Sequence, residues 1–362
     1  MISRRQFLLT TISAVAAVTI PTVARAMPLV GQTRFPMEAG EDKSLMPDDQ
    51  DSDLWTTIKV IGVGGGGCAM VEHMIAGGAK GIEFICADTD TQALSRSAAH
   101  KTVRLGPTGL GAGGKPEQAR EVAELVVDDI RAAIEGAHML LVVAGVGGCV
   151  GTGAVPVIAR MAREMGIVTV GVVTTPCESE GALRMANADG GLSDLGANVN
   201  SLIVVPNEKL LKMLGGNATL DVAFAHANDV LKTAVVGIAD TINEQGLADI
   251  DFEDVRTVME EPGRAKIGTA VAAGPDRARI AAERAMACPL LDGIDLSAAG
   301  GLLVLVSAAY GTLRLGECKL AMNTIRAHAS STAHVIYGTF HGDDLGNQIR
   351  VTVIATGVNS EA

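Results

Sequence analysis

The sequence predicts an α/β fold: a Rossmann-like domain on a parallel sheet, a long central helix, and a second, smaller α/β domain. Three observations predict it. Apolar runs of strand length alternate with helical patterns over most of the chain, the order that builds a parallel sheet between helix layers. Glycine-rich stretches begin near Gly62, Gly106 and Gly145, each after a predicted strand or before a predicted helix. With 43 glycines and only 2% aromatic residues, the cores must be made of Ala, Val, Leu and Ile on closely approaching backbones.

A chain of 362 residues, 48% of them hydrophobic, has material for one large or two ordinary domains. Its net charge of -12 argues against a nucleic-acid or anionic-membrane surface, because those partners select basic patches. Six cysteines lie at 68, 86, 149, 177, 288 and 318, with no pair at CxxC spacing, so neither a zinc site nor a disulfide framework is signalled.

Residues 1–26 read as a twin-arginine export signal. SRRQFLL precedes an apolar run to Ile20, and Ala24-Arg25-Ala26 resembles a cleavage site. The competing reading is an adventitious start on a cytoplasmic chain. The acidic, proline-bearing residues 27–56 read as a disordered lead-in.

The first domain is expected over 57–220. Strand 57–63 runs into GVGGGGCAM, where Gly62, Gly64 and Gly67 fit GxGxxG, and a second strand, 83–87, ends at Asp88. By spacing this is a dinucleotide fingerprint, with a dinucleotide-dependent oxidoreductase as one reading and a plain glycine turn as another. A flexible stretch, GPTGLGAGGKP, leads into a helix over 117–135. Strand 139–143 then opens a loop with five glycines between Gly145 and Gly153, and Pro156 sits near the first turn of the next helix.

Glycines let successive backbone N–H groups point at one anion, and the following helix adds its positive dipole end. No Lys-Ser/Thr follows Gly153, so this is not an ordinary P-loop. Three such stretches converging on one sheet edge suggest a ligand with several phosphates and its metal, hence a nucleoside triphosphate. Strand 167–174 leads into TTPCESEGALR, in which Glu180 and Arg184 share a helix face, as a surface ion pair or as an acid for ribose hydroxyls and a cation for phosphates. Strand 201–205 ends in PNEKL.

A central helix is expected over 221–245, with Val230, Leu231, Ala234, Val235, Ile238 and Ile242 as a broad apolar stripe. Its two-sided apolarity suggests a spine between domains. Residues 246–263 carry Asp249, Asp251, Glu253 and Asp254 around the start of a helix at Phe252, either complementing its dipole or presented to a nucleotide. Residues 264–358 alternate strands (265–273, 302–308, 333–340, 349–356) with helices (276–287, 316–326), an α/β unit without a glycine cradle.

Together these residues spell a family. VGGCVGTG resembles the GGGTGTG signature of the tubulin/FtsZ superfamily, and IKVIGVGGGG, DTDTQAL, GLGAG, TPCESEG, VPNEKLL, FAHANDVL, DFEDVRTVM and RVTVIATG are similar, in order, to segments of bacterial FtsZ. The resemblance covers about 58–358. It implies the tubulin/FtsZ fold and a GTPase that polymerises head to tail, hydrolysing GTP with Mg²⁺ at the contact between subunits, in the cytoplasm at the division site.

By resemblance, Gly64, Gly65, Gly66, Ala112, Gly113, Gly145, Gly147, Gly148, Gly151, Thr152 and Gly153 hold phosphates. Glu180 and Arg184 take ribose and phosphate, Asn207 contacts the nucleoside, and Phe224 and Asp229 form the base pocket. Asp229 accepts from the N–H edges of guanine. Asp251 and Asp254 are the catalytic acids that polarise the attacking water across the filament contact.

The sequence departs from the family where it matters. Cys68 and Ala69 stand for Gly and Asn, Cys149 and Val150 for Gly and Thr, and Asp88, Asp249 and Lys115 for asparagines. A weakened phosphate or metal site, strain from β-carbons at glycine positions, and added negative charge offset by Lys115 are the expected consequences. Cys68, Cys149 and Cys177 are read as three small substitutions or as a pocket cluster able to oxidise. The tail that docks this family to membrane tethers is missing, so no direct membrane binding is expected. A second reading is therefore a weakly or non-hydrolysing paralogue that co-assembles with a complete FtsZ.

Overall fold

The structure, a computed structural model, describes residues 56–109, 111–215, 219–243, 251–261, 263–291, 295–342 and 345–358. The expectations for residues 1–26, for the lead-in up to residue 55 and for Asp249 lie outside the described residues. The order is β1 (Ile58–Val63), α1 (Gly64–Ala76), β2 (Ile82–Asp88), α2 (Thr91–Leu94), β3 (Lys101–Arg104), α3 (Pro116–Glu124), α4 (Val127–Ile134), β4 (Met139–Gly145), α5 (Cys149–Gly153), α6 (Val155–Glu164), β5 (Val168–Thr175), α7 (Ala182–Gly196), β6 (Ser201–Pro206) and α8 (Asn207–Leu214). There follow α9 (Leu220–Asn243), α10 (Phe252–Met259), β7 (Arg264–Ala273), α11 (Arg277–Met286), β8 (Gly301–Ala308), α12 (Leu315–Arg326), β9 (His334–His341) and β10 (Gln348–Val358).

The strands form one ten-stranded sheet, ordered β3-β2-β1-β4-β5-β6-β7-β10-β8-β9. From β3 to β7 every pairing is parallel, and β10 runs antiparallel to both neighbours, β7 and β8. The two α/β units expected from sequence thus share a sheet, joined where Leu202 and Ile203 of β6 pair with Arg264 and Ala265 of β7. A two-residue seam leaves no pattern in the sequence.

The central strands are apolar throughout because helices cover both faces. Alternate residues divide between two cores: Val60, Leu141 and Val143 on one face, Ile61, Leu140 and Val142 on the other. A third core, rich in alanine, lies between α11, α12 and the strands β8 and β10.

Helix α9 is the spine its pattern predicted. Val230, Leu231, Ala234, Val235 and Ile238 are all buried, packed with Val71 and Met74 of α1 and with Leu303, Leu305, Phe340 and Ile354 from the second half. It starts beside the carboxyl ends of the strands. It finishes at their amino ends, where Asn243 donates to the Gly81 carbonyl at 2.8 Å, one residue before β2.

Two local expectations change. The single helix over 117–135 is two, because Val126 leaves helical backbone at φ -120°, ψ 30°. The break lets α3 lie against α5 while α4 packs on α6 and β3. The edge strand β3 escaped the sequence because only Val103 of its four residues is buried.

In the second half, Arg277 is 7% exposed and clamps Glu317 through Nε–Oε1 at 2.7 Å and Nη2–Oε2 at 2.9 Å, while also donating to the carbonyls of Thr312 and Asn347. The Arg277 guanidinium holds the Glu317 carboxyl below its ordinary value. A depressed carboxyl stabilises the fold above its unfolded pKa, about 4.3, and that contribution is lost as pH falls through the folded value. We expect Arg277→Met to cost about 3 kcal/mol in urea melts at pH 7, because half-buried Glu317 loses its counter-ion and keeps only the Arg314 N–H. The double variant Arg277→Met/Glu317→Leu should lose less stability than wild type between pH 5 and pH 3, and equal slopes would show that the pair does not set acid stability.

Candidate functional site

At the carboxyl ends of β1, β4, β5 and β6 the chain leaves a cavity of about 620 Å³. Gly64, Gly65 and Gly66 form one wall, Gly145, Gly148, Cys149, Val150 and Gly151 the next, and Asn207 and Phe224 the far side. Crowding explains some of these glycines. A β-carbon on Gly151 would stand only 2.4 Å from the Gly145 oxygen and one on Gly67 2.4 Å from the Val143 oxygen, whereas Gly65 and Gly66 have room for one. Gly147 sits at φ +98°, a conformation open to glycine, which turns the chain from β4 into α5.

Three helices begin at this cavity, α1 at Gly64, α5 at Cys149 and α8 at Asn207, and none has a side-chain cap. Their first N–H groups and dipole ends therefore point into the space without an internal partner. That is an anion site. Glu180 and Arg184 also line it, joined by an Nη1–Oε2 bond of 2.5 Å, while Glu180 Oε1 accepts from the Cys177 N–H at 2.8 Å. The pair thus forms the expected ion pair, and it does so at the cavity wall.

Other expected residues stand elsewhere. Thr152 is 5% exposed behind the loop, and its Oγ1 accepts from the Gly147 N–H at 2.8 Å, so it holds the turn rather than facing the cavity. Gly147, Gly153, Ala112 and Gly113 also lie off the lining, Gly153 pressed on α3. Asp229 is turned to a neighbouring cleft of about 420 Å³, with Oδ1 2.7 Å from His73 Nε2. Helix periodicity is the reason. Phe224, Ala227 and Asn228 occupy i, i+3 and i+4 and share the face that lines the cavity, while Asp229 falls one position round. Asn228 is the residue that this spacing would have found and that was not expected from sequence.

The substituted positions carry no backbone strain. Cys68 and Ala69 lie in α1, Cys149 and Val150 in α5, all in helical backbone. The Cys149 thiol donates to the carbonyls of Lys115 at 3.0 Å and Ala112 at 3.4 Å, tying the signature loop to the 112–115 stretch. Asp88 is 5% exposed and spends Oδ1 on the N–H groups of Thr89 and Asp90, and burial pushes its carboxyl up. An acid committed to its own turn is not offered to a ribose, which removes the support for a dinucleotide. The three suspected cysteines keep separate company: Cys149 is bound as above, Cys177 lies by Glu180, and Cys68 meets Cys86.

The acids Asp251 and Asp254 are at the other end of the molecule. Asp251 caps α10, its Oδ1 accepting from the Asp254 N–H at 2.8 Å. Between them in sequence, Phe252 lies edge-on to His138 at 6.2 Å, and the His138 ring accepts from the Thr57 N–H, at the amino ends of β1 and β4. The cavity is at the carboxyl ends of the same strands, about 20 Å away for six residues of strand. No chain brings these acids to its own cavity.

Comparison with known proteins gives the same two halves. Residues 57–215 match the Tubulin/FtsZ family, GTPase domain, and residues 263–359 match the FtsZ family, C-terminal domain. The chain is 50% identical over 308 residues to the cell division protein FtsZ of Coxiella burnetii, covering 84% of this chain and 80% of that one. It is 49% identical over 306 residues to that of Pseudomonas aeruginosa, covering 84% and 77%. Among solved structures, an empty FtsZ dimer of M. jannaschii superposes with a TM-score of 0.81 at 34% identity, over 88% of this chain and 93% of that one. CetZ2 of Haloferax volcanii, solved as a GTPγS-bound protofilament, shares the fold, with a TM-score of 0.69 at 21% identity, over 84% and 94%.

Proposed function

Because the chain belongs to the FtsZ family, we propose that it is a filament-forming GTPase of cell division whose active site is completed between two copies. The observation that carries this is the separation just described: an anion cavity at one end of the sheet and two carboxylates at the other. Copies stacked head to tail bring the acids of one to the cavity of the next, a heterologous contact that propagates as an open filament. In this reading the uncapped ends of α1 and α5 take the phosphates, Arg184 supplies positive charge, Glu180 and Asn207 hold the ribose, and Phe224 covers the base. Asp229, one position round from the cavity face, reads guanine only by leaving His73 and swinging toward the cavity, where a carboxylate accepts from the N–H edge of guanine and adenine offers no matching donors.

Across the contact, Asp251 and Asp254 orient and polarise the water that attacks the γ-phosphate. Little covalent chemistry is asked of the protein, so positioning and charge carry the rate. The described residues contain no group of three or more His, Cys, Asp or Glu able to hold a metal. Mg²⁺ therefore fits as an ion that arrives on the triphosphate, where it offsets phosphate charge. The setting is the cytoplasm at the division site. Residues 1–26, read above as an export signal, precede the matched segment.

Phosphate release from GTP with Mg²⁺, measured across protein concentrations, tests this. The expected result is a specific rate that rises with protein concentration and then levels. A second reading rests on Val150, which places a methyl where the family has a hydroxyl, against Gly64 at the cavity wall. No release at any concentration would make the chain a co-assembling paralogue that borrows a complete FtsZ for turnover.

A further inference from the structure

The sequence drew attention to Cys68, Cys149 and Cys177 as a pocket cluster, but the pair that meets is Cys68 with Cys86. Strand register sets Gly62 beside Cys86, with Val63 beside Ala87. Helix α1 crosses above this point and lowers Cys68 onto it, with Sγ 3.6 Å from the Gly62 oxygen and 3.9 Å from the Ala87 oxygen. There the Cys68 thiol meets the Cys86 sulfur. Cys86 is fully buried in the core of that face and Cys68 is half-buried against the same core. Helix and strand are each fixed by packing, so the two sulfurs are held together rather than meeting by chance.

We infer that Cys68 and Cys86 are an intramolecular oxidation site, closing a disulfide between α1 and β2 when the protein meets a peroxide. The thiols are in mutual contact, which lowers the pKa of Cys86 and, with burial, raises that of Cys68. Whichever sulfur ionises reacts as thiolate, and its neighbour is in place to resolve the product.

The step balances with hydrogen peroxide as oxidant. The thiolate attacks one peroxide oxygen, the O–O bond breaks, and a sulfenic acid forms as hydroxide leaves and takes a proton to become water. The second sulfur then attacks the sulfenic sulfur, the S–O bond breaks, and the departing hydroxide takes the remaining thiol proton. Two thiols lose two electrons, one peroxide gains them, and two waters result. The new bond pins the first turns of α1, whose glycines form the cavity wall, to the second strand. The site stands on α1 and β2 alone and does not depend on what the cavity binds.

Peptide mapping tests it on the whole chain. Trypsin separates the partners, with Cys68 in Val60–Lys80 and Cys86 in Gly81–Arg96. After exposure of folded, reduced protein to hydrogen peroxide and alkylation of free thiols in denaturant, the expected result is a cross-linked pair of these two peptides, reversed by a reductant. Titratable thiols should fall from six to four. Cys68→Ala and Cys86→Ala should each abolish the cross-link, and the wild-type map decides the matter if either variant fails to fold. Six thiols remaining, higher oxides on unpaired cysteines, or a cross-link to Cys149 would overturn the inference.

Discussion

Asp254→Asn should lower GTP turnover by about 100-fold while leaving nucleotide binding unchanged, a loss on the scale of removing one polarising group from a preorganised site. Binding is spared because the carboxylate lies at the amino ends of the strands, away from the cavity of its own chain. Asparagine keeps the shape and removes the charge, so α10 should stand. Asp251 needs more care, because its Oδ1 also caps α10. Asp251→Ala would lose a cap worth about 1 kcal/mol together with the charge, whereas Asp251→Asn retains a good capping residue and isolates the charge. A 1:1 mixture of the Asp254 variant with an Arg184→Ala variant sharpens the test. Each copy then carries one intact end, and activity should recover in part as intact cavities meet intact acids. Failure of the mixture to exceed the variants alone would mean that the acids and cavity do not meet between copies.

Gly153→Ala should cost about 3 kcal/mol or more and remove nucleotide binding, the upper range for overpacking a core. Its β-carbon would stand 1.9 Å from the Pro116 oxygen and 2.8 Å from the carbon that bears it. Both atoms belong to the backbone that starts α3, so no side chain can rotate away. Relief requires α3 and α5 to separate, and α5 forms a wall of the cavity. Gly190→Ala is the control. It lies inside α7 with nothing within 4 Å of the added carbon, and it should stabilise by about 0.5–1 kcal/mol through helix propensity. Urea melts of the two variants, with nucleotide retention on gel filtration, separate a packing role for Gly153 from a phosphate role. A Gly153→Ala protein of wild-type stability that still loses nucleotide would restore the phosphate role.

The fold was legible wherever burial leaves a pattern. Strands covered on both faces are apolar without interruption, as in Met139–Val143, and a spine that packs on two sides shows a broad stripe, as in Val230–Ile238. Glycines marked the cavity because close backbone approach at Gly151 and positive φ at Gly64 and Gly147 exclude other residues there, although the loop expected over 145–153 closes into a helical turn at Cys149. Orientation was not legible. Phe224 and Asp229 came together from one motif, yet only the first lies on the cavity face, since a helix turns about 100° per residue and the motif carries no phase. The meeting of Cys68 with Cys86 was hidden for a related reason. It depends on how α1 crosses β2, and Cys86 in its strand looks like any other small core residue.

The length of α9 has a consequence in counting. Because this helix runs from the cavity to the opposite end of the sheet, the proposed head-to-tail assembly would give each copy a half-site at its head and the complementary half at its tail. A row of n copies then holds n cavities but only n − 1 finished sites. A pair should work at about half the rate per molecule of a long row, and a single copy should not turn over at all. The cavity left over always sits at the same extremity, so the two tips of a row differ chemically.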